Sequence, residues 1–350
     1  MRRLQGLDSI RFIAALIVVL GHFGGPPLFE NLDESFIGYK ILHGLYACLF
    51  NGPAAVIVFF IVSGLVIHYP YHKGKTFRLW EFYRQRYVRI CIPMIVVALI
   101  ALIADRLEDI GIFWSLYAEL IYYTLYPLII FLKNRIGIKT LIATTYFAGL
   151  VLIFTLPYKD TNAYVDLGNY YTWIIGLPCW LLGVYLAENV NAEYKGTFGK
   201  LVLWRLGIYG LSVILRGVKF HTEFSNLITL NLFAFIVCIW LIEEVKYYRN
   251  KPAVKTLEWA GSWSYSLYIC HLLAATFIQI FLPLEKSVLQ WFMLFFGTLS
   301  ISYIFFLLVE KPSHYLAKKV KFVQPVLAEN STDEADHAEE APLKPDVLGG

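Results

Sequence analysis

Apolar residues fall in long blocks along this chain, and charge collects in the short stretches between them. The blocks lie near 7–25, 52–69, 87–104, 113–132, 140–156, 171–188, 201–217, 226–242, 262–282 and 290–309. Each is long enough, or nearly so, to carry a helix across a hydrocarbon layer of about 30 Å. Lipid in place of water as solvent produces this pattern, which predicts an all-α polytopic membrane protein with about ten transmembrane helices. The stretch from Ile41 to Phe50 is also apolar, but Asn51, Gly52 and Pro53 separate it from the next block. It predicts a short interfacial or re-entrant piece.

The charges between blocks set an orientation. Segment 70–89 carries Lys73, Lys75, Arg78, Arg84, Arg86 and Arg89 against Glu81 alone. Two blocks later come Lys133, Arg135 and Lys139, then Lys195 and Lys200, then Lys246, Arg249, Lys251 and Lys255, and finally Lys318, Lys319 and Lys321. The alternate connections hold Glu30, Asp33 and Glu34, then Asp105, Glu108 and Asp109, then Asp160 and Asp166. Ten spans with both termini in the cytoplasm satisfy the positive-inside rule. The weakest fit is the connection where Lys219 and His221 accompany Glu223. The start MRRLQGLD resembles a signal peptide, but His22, Phe23 and Pro26 stand where small residues would mark cleavage, so a retained first span is expected. Two regions follow: a transmembrane domain over 1–322, and an acidic tail over 323–350 whose composition predicts disorder in the cytoplasm.

Composition narrows the function classes. Of 350 residues, 58% are hydrophobic and only 16% charged, against about 25% charged in soluble domains. A large soluble α/β enzyme is excluded. The net charge of +4 reflects membrane topology rather than nucleic-acid binding. Five widely spaced cysteines in apolar stretches suggest neither a disulfide framework nor a zinc site, and no metal is expected. An integral plasma-membrane location follows, and membrane lipid is an obligatory partner.

Candidate chemistry lies where polar groups interrupt the blocks. In RFIAALIVVLGHF, Arg11 and His22 lie on one helix face, separated by a rise of about 16 Å. Arg11 either reaches the headgroups or faces a protein interior, and His22 is either an interfacial hydrogen-bonding group or a base. In WSLYAELIYYTLYP, Ser115, Glu119 and Tyr122 share a face at spacings of four and three. Glu119 falls at a depth compatible with His22, which a carboxylate could orient. In FYRQRYVRICIP, Arg86 and Arg89 fit either ordinary topology or a phosphate clamp. His271 follows Tyr265 and Tyr268 in a further polar run, and Ser115, Tyr122, Tyr265 and His271 suit an acceptor or structural site. Ser63-Gly64 reads as a close helix-packing point, and His43, His68, His72 and His314 as interfacial, with His68 also able to line the inner mouth. A buried histidine and glutamate also suit the relay of a proton-coupled transporter, although no internal repeat supports inverted halves.

In order, LDSIRFIAALIVVLGHF, FFIVSGLVI, FYRQRYVRICIP, WSLYAELIYYTLYP, SWSYSLYICH and VEKP resemble the membrane acyltransferase-3 family, which includes O-antigen, exopolysaccharide and Nod-factor O-acyltransferases. Ser9 and Leu65 depart from residues frequent in that family without removing a reactive group. The resemblance implies a stand-alone transmembrane form that moves an acyl group, most often acetyl, from acyl-CoA to a hydroxyl of a carbohydrate or lipid-linked glycan. It implies a bacterial inner-membrane setting, His22 and Glu119 as catalytic residues, and Arg11, Arg86 and Arg89 as the CoA-binding set. Whether transfer is direct or passes through an acyl-histidine is left open.

Overall fold

A computed structural model describes residues 4–28, 37–155, 164–190, 197–222, 225–249, 251–282 and 287–319. The acidic tail lies outside the described residues, as do Glu30, Asp33, Glu34, Asp160, Lys195, Glu223 and Lys321 of the charge pattern. The regular secondary structure of the described residues is all helical, with no strand. The helices are α1 (Leu7–Phe23), α2 (Ile37–Cys48), α3 (Gly52–His72), α4 (Leu79–Ile103), α5 (Trp114–Ile136), α6 (Ile138–Thr155) and α7 (Gly168–Asn189). Then follow α8 (Phe198–His221), α9 (Asn226–Tyr248), α10 (Lys255–Gly261), α11 (Ser264–Phe281), α12 (Val288–Phe305) and α13 (Lys311–Lys319). Among the described residues, nine helical stretches are long and apolar enough to cross a membrane. The opening helix α1 has 17 residues, the lower end of what a bilayer needs. The apolar stretch before Asn51 forms α2, whose 12 residues are too few to span.

Helix α3 is apolar all round and forms the centre of the bundle. Asn51 starts it, accepting the Ala54 amide at 3.2 Å, with Pro53 in the first turn, where its missing N–H costs nothing. The Asn51 side chain also donates to the Ser212 carbonyl at 2.8 Å, tying this start to α8. Against α3 lies α7, and glycine makes their approach possible. A β-carbon on Gly64 would stand 2.1 Å from the Trp180 carbonyl oxygen, and one on Gly183 would stand 2.0 Å from that of Ile61. The packing role read for Ser63-Gly64 is therefore borne out at Gly64. Helix α1 packs on α3, α10 and α11, and α5 on α7.

The outer faces are apolar and uncovered. Phe147 and Phe154 on α6, Leu203 on α8 and Phe296 on α12 are all exposed, as expected where acyl chains rather than water are the surroundings. Successive spans reverse direction, so the start of α1 shares an end with Lys73, Lys133 and Lys246. We call this the basic end. Gly6 lies against the Tyr248 ring here. At the opposite end, Trp291 donates to the Gly24 carbonyl at 3.3 Å.

Candidate active site

Helices α1, α3, α4, α5 and α11 enclose a cavity of about 90 Å³. Arg11, Ser63, Arg86, Arg89, Ser115, Glu119, Tyr123, Tyr265 and Tyr268 line it with apolar residues between them. Six of the nine site residues expected from sequence, Arg11, Arg86, Arg89, Ser115, Glu119 and Tyr265, thus meet here, from four separate helices. Arg86 and Arg89 sit three apart on α4, one turn of helix, so both guanidinium groups face the same space. Neither makes a hydrogen bond or ion pair to any described residue, and the Arg86 Nε is buried without a partner. Arg11 touches Asp8 at 3.8 Å. Beyond the wall, Glu310 is an electrostatic neighbour of Arg11 and Arg89. Its carboxylate accepts from the Ser266 amide at 3.1 Å and the Ser266 hydroxyl at 2.6 Å. Unpaired cations this deep in an apolar bundle are costly unless an anion joins them.

Glu119 is the lining carboxylate. Its Oε1 accepts from the Ser63 hydroxyl at 2.5 Å and also from the Tyr123 hydroxyl. Trp180 Nε1 donates in turn to Ser63 Oγ at 3.2 Å. One oxygen is thus fixed by a three-residue network, while Oε2 makes no hydrogen bond among the described residues. Ser63, Tyr123 and Trp180 were not expected here. Ser63 read as a packing residue, and nothing local in the sequence marks Trp180, which arrives from α7.

The stripe of α5 that faces the cavity runs Ser115, Glu119, Tyr123, in steps of four. Tyr122, expected on this stripe, turns instead toward α7. It is fully buried, donates to the Trp173 carbonyl at 3.0 Å and packs edge-on against Phe60. Ser115 meets the Tyr268 hydroxyl at 2.7 Å, and Tyr265 donates to the Ile90 carbonyl at 2.9 Å.

His22 does not line the cavity. It stands exposed near the end of α1, its ring 5.2 Å from that of His271. His271 is fully buried, and its Nδ1 lies 2.7 Å from the Tyr268 carbonyl oxygen. A carbonyl only accepts, so Nδ1 carries the hydrogen and Nε2 keeps a lone pair. That Nε2 is buried and has no hydrogen-bond partner. The expected Glu119–His22 contact is not among the hydrogen bonds of the described residues. The reason is depth: Ser115 is level with Tyr268, so Glu119 and His271 are separated by one turn of α5 and nearly one of α11, about 10 Å along the axis. Between Arg11 and His22 the same face of α1 carries Ala15 and Val19, both fully buried against Trp263 and Leu267.

A second polar group lies at the basic end, where His68, His72, Lys133 and Glu188 gather. His68 is buried rather than interfacial; its ring nitrogens meet the Tyr126 hydroxyl at 2.9 Å and Glu188 Oε1 at 3.1 Å. Ligand atoms of His68, His72 and Glu188 all lie within 4.8 Å of one another. The Lys133 ammonium, however, already holds that Glu188 oxygen at 2.5 Å, so the place of a cation in this group is filled.

Neither curated proteins nor solved structures give a match to this chain. A family profile described as an acyltransferase domain matches residues 4–307. The match takes in α1 to α12, every residue lining this cavity, and both His22 and His271. The chain belongs to the acyltransferase-3 family of membrane proteins.

Proposed function

We propose that this protein transfers an acyl group, most simply acetyl, from acyl-CoA to a hydroxyl of a carbohydrate or glycolipid at the membrane. The observation that carries this is the pair of unpaired arginines facing one cavity with a hydroxyl-held glutamate, in a member of an acyltransferase family. The basic end is assigned to the cytoplasm, with α1 as a tenth span and both termini inside. Arg86, Arg89 and Arg11 then stand where a cytoplasmic donor arrives, and bidentate guanidinium contacts suit its phosphates.

From there the pantetheine arm runs past Glu119 toward Ser115 and Tyr268, and for the thioester to reach His22 the packing beyond them has to open. His22, open to the opposite side, removes the proton of the acceptor hydroxyl as its oxygen attacks the thioester carbonyl. A C–O bond forms, the C–S bond breaks, and the proton passes to the departing CoA thiolate. His271 is the positioning partner in this scheme. A small turn of the two rings, 5.2 Å apart, would let its free Nε2 accept the N–H of His22 and leave the other His22 nitrogen as base. Glu119, held by Ser63 and Tyr123, provides a fixed negative group in the donor path. Apolar packing around the path limits loss of the thioester to water.

Purified protein incubated with labelled acetyl-CoA and a membrane glycolipid extract should give acylated glycan, located by mass spectrometry. No label transfer, with solute uptake driven by a pH gradient instead, would favour a transporter. A second assignment places the base at His68, a buried histidine in contact with the partly exposed carboxylate of Glu188. His68→Ala separates the two: transfer persists if His22 is the base and stops if His68 is.

A further inference from the structure

A cavity on the His22 side of the molecule has no role in the scheme above. It measures about 410 Å³ and lies where the end of α1, α2 and the later part of α8 meet. That volume falls within the range of small-molecule sites, about 300–1,000 Å³. Gly21 and Gly24 border it, and Tyr39, His43, Tyr46 and Phe50 supply its rings. The rings are held in place. Tyr39 and His43 stack at 5.6 Å, Tyr46 stands edge-on to Phe50 at 6.3 Å, and the Tyr46 hydroxyl donates to the Pro26 carbonyl at 3.0 Å. Aromatic faces with polar edges suit a saccharide better than an acyl chain.

Among the described lining residues, Arg216 alone carries a fixed charge. It belongs to α8, a helix long and apolar enough to cross the membrane. Its Nε donates to the Ala47 carbonyl at 3.0 Å, and its guanidinium lies 5.3 Å from the centre of the Phe220 ring. The two terminal nitrogens bond to no described residue, and no described carboxylate pairs with them. A cation tied into the protein beside a cavity, within a spanning helix, points to a ligand. The charge pattern gives an independent reason. The connection after α8 is the weakest fit to the positive-inside rule, with Lys219 and His221 following Arg216 on the side otherwise marked by acids. One guanidinium with one free fork matches the two oxygens of a carboxylate and balances its single charge. A phosphomonoester would bring surplus negative charge. Arg216 is also an electrostatic neighbour of His22.

We propose that this cavity is a saccharide site in which Arg216 selects an acidic sugar, one bearing a carboxylate, as the acceptor. This rests on the acyltransferase reading and adds to it the charge of the acceptor. The carboxylate takes no part in bond making or breaking. It fixes the saccharide on the fork of Arg216, so that a hydroxyl of the same or the adjoining unit is presented toward His22. A neutral sugar of the same shape lacks that anchor and binds weakly.

The full-length protein in nanodiscs supplies the test. The probes are the methyl glycosides of glucuronic, galacturonic and mannuronic acid, and the controls are the matching uronamides, which keep the shape and lose the charge. Binding is followed by saturation-transfer NMR titration. At least one acid should bind about tenfold or more tightly than its amide, the scale of a charged hydrogen bond. Arg216→Ala should bring acid and amide to equal affinity, and Arg216→Lys, which keeps charge without the fork, should retain part of the preference. Acetyl-CoA affinity should be unchanged in both variants, which shows that they are folded. No acid bound by the wild type, equal binding of acid and amide, or a preference that survives in Arg216→Ala would overturn the proposal. Acetyl transfer from acetyl-CoA to acids and amides alike would also overturn it while upholding the acyltransferase reading. Arg216-dependent binding of an acid, with no acetyl transfer to any acceptor, would instead refute the acyltransferase reading and leave an acidic-sugar site.

Discussion

At the residue scale, function depends on groups that the fold leaves without partners. Arg86 and Arg89 face the cavity without a hydrogen bond or ion pair to a described residue, and in the proposed scheme the donor's phosphates bind there. Removing either guanidinium should weaken acyl-CoA binding about tenfold or more, since a charged hydrogen bond contributes roughly 1.5–3 kcal/mol. Isothermal calorimetry on Arg86→Ala and Arg89→Ala checks this, and unchanged affinity in both would remove the clamp. Glu119→Gln keeps the Ser63 and Tyr123 contacts available and loses only charge. It should lower kcat by more than it raises the acyl-CoA Kd, read from paired turnover and binding measurements. These residues were legible in the sequence because charge in an apolar block is conspicuous. Ser63 and Trp180 were not: a serine beside glycine looks like packing, and Trp180 does not reveal its contact with Ser63 until α7 is placed. Tyr122 misled because steps of three and four both stay near one helix face, and only the neighbouring helix decides which tyrosine points inward.

At the element scale, the approach of α3 to α7 sets the positions of Ser63 and Trp180, and through them Glu119. A methyl group at Gly183 meets backbone, not a flexible side-chain end. Gly183→Ala should therefore lower Tm by an amount corresponding to about 1–3 kcal/mol of overpacking and reduce activity through misplacement of Ser63. Gly207→Ala on α8, with nothing within 4 Å of the added carbon, should leave both unchanged. Span positions were readable because block length and bilayer thickness are tied together. The depth offset between Glu119 and His22 was not, because depth along separate helices says nothing about which helices touch or where a third interposes.

On the scale of the whole molecule, the bundle has a basic end, where the proposed donor docks, and an opposite end where His22 stands exposed. Single cysteines at Lys75 and Glu108 test that arrangement. A membrane-impermeant maleimide applied to intact cells should label Glu108→Cys and not Lys75→Cys; the reverse would invert the molecule. The central claim is that His22 takes the proton of the acceptor hydroxyl. It is tested most directly by single-turnover transfer from labelled acetyl-CoA in purified His22→Ala, with donor binding measured on the same sample. Donor affinity should stay within about threefold while transfer falls at least about a hundredfold, the scale of a lost general base. Transfer at the wild-type rate would contradict it.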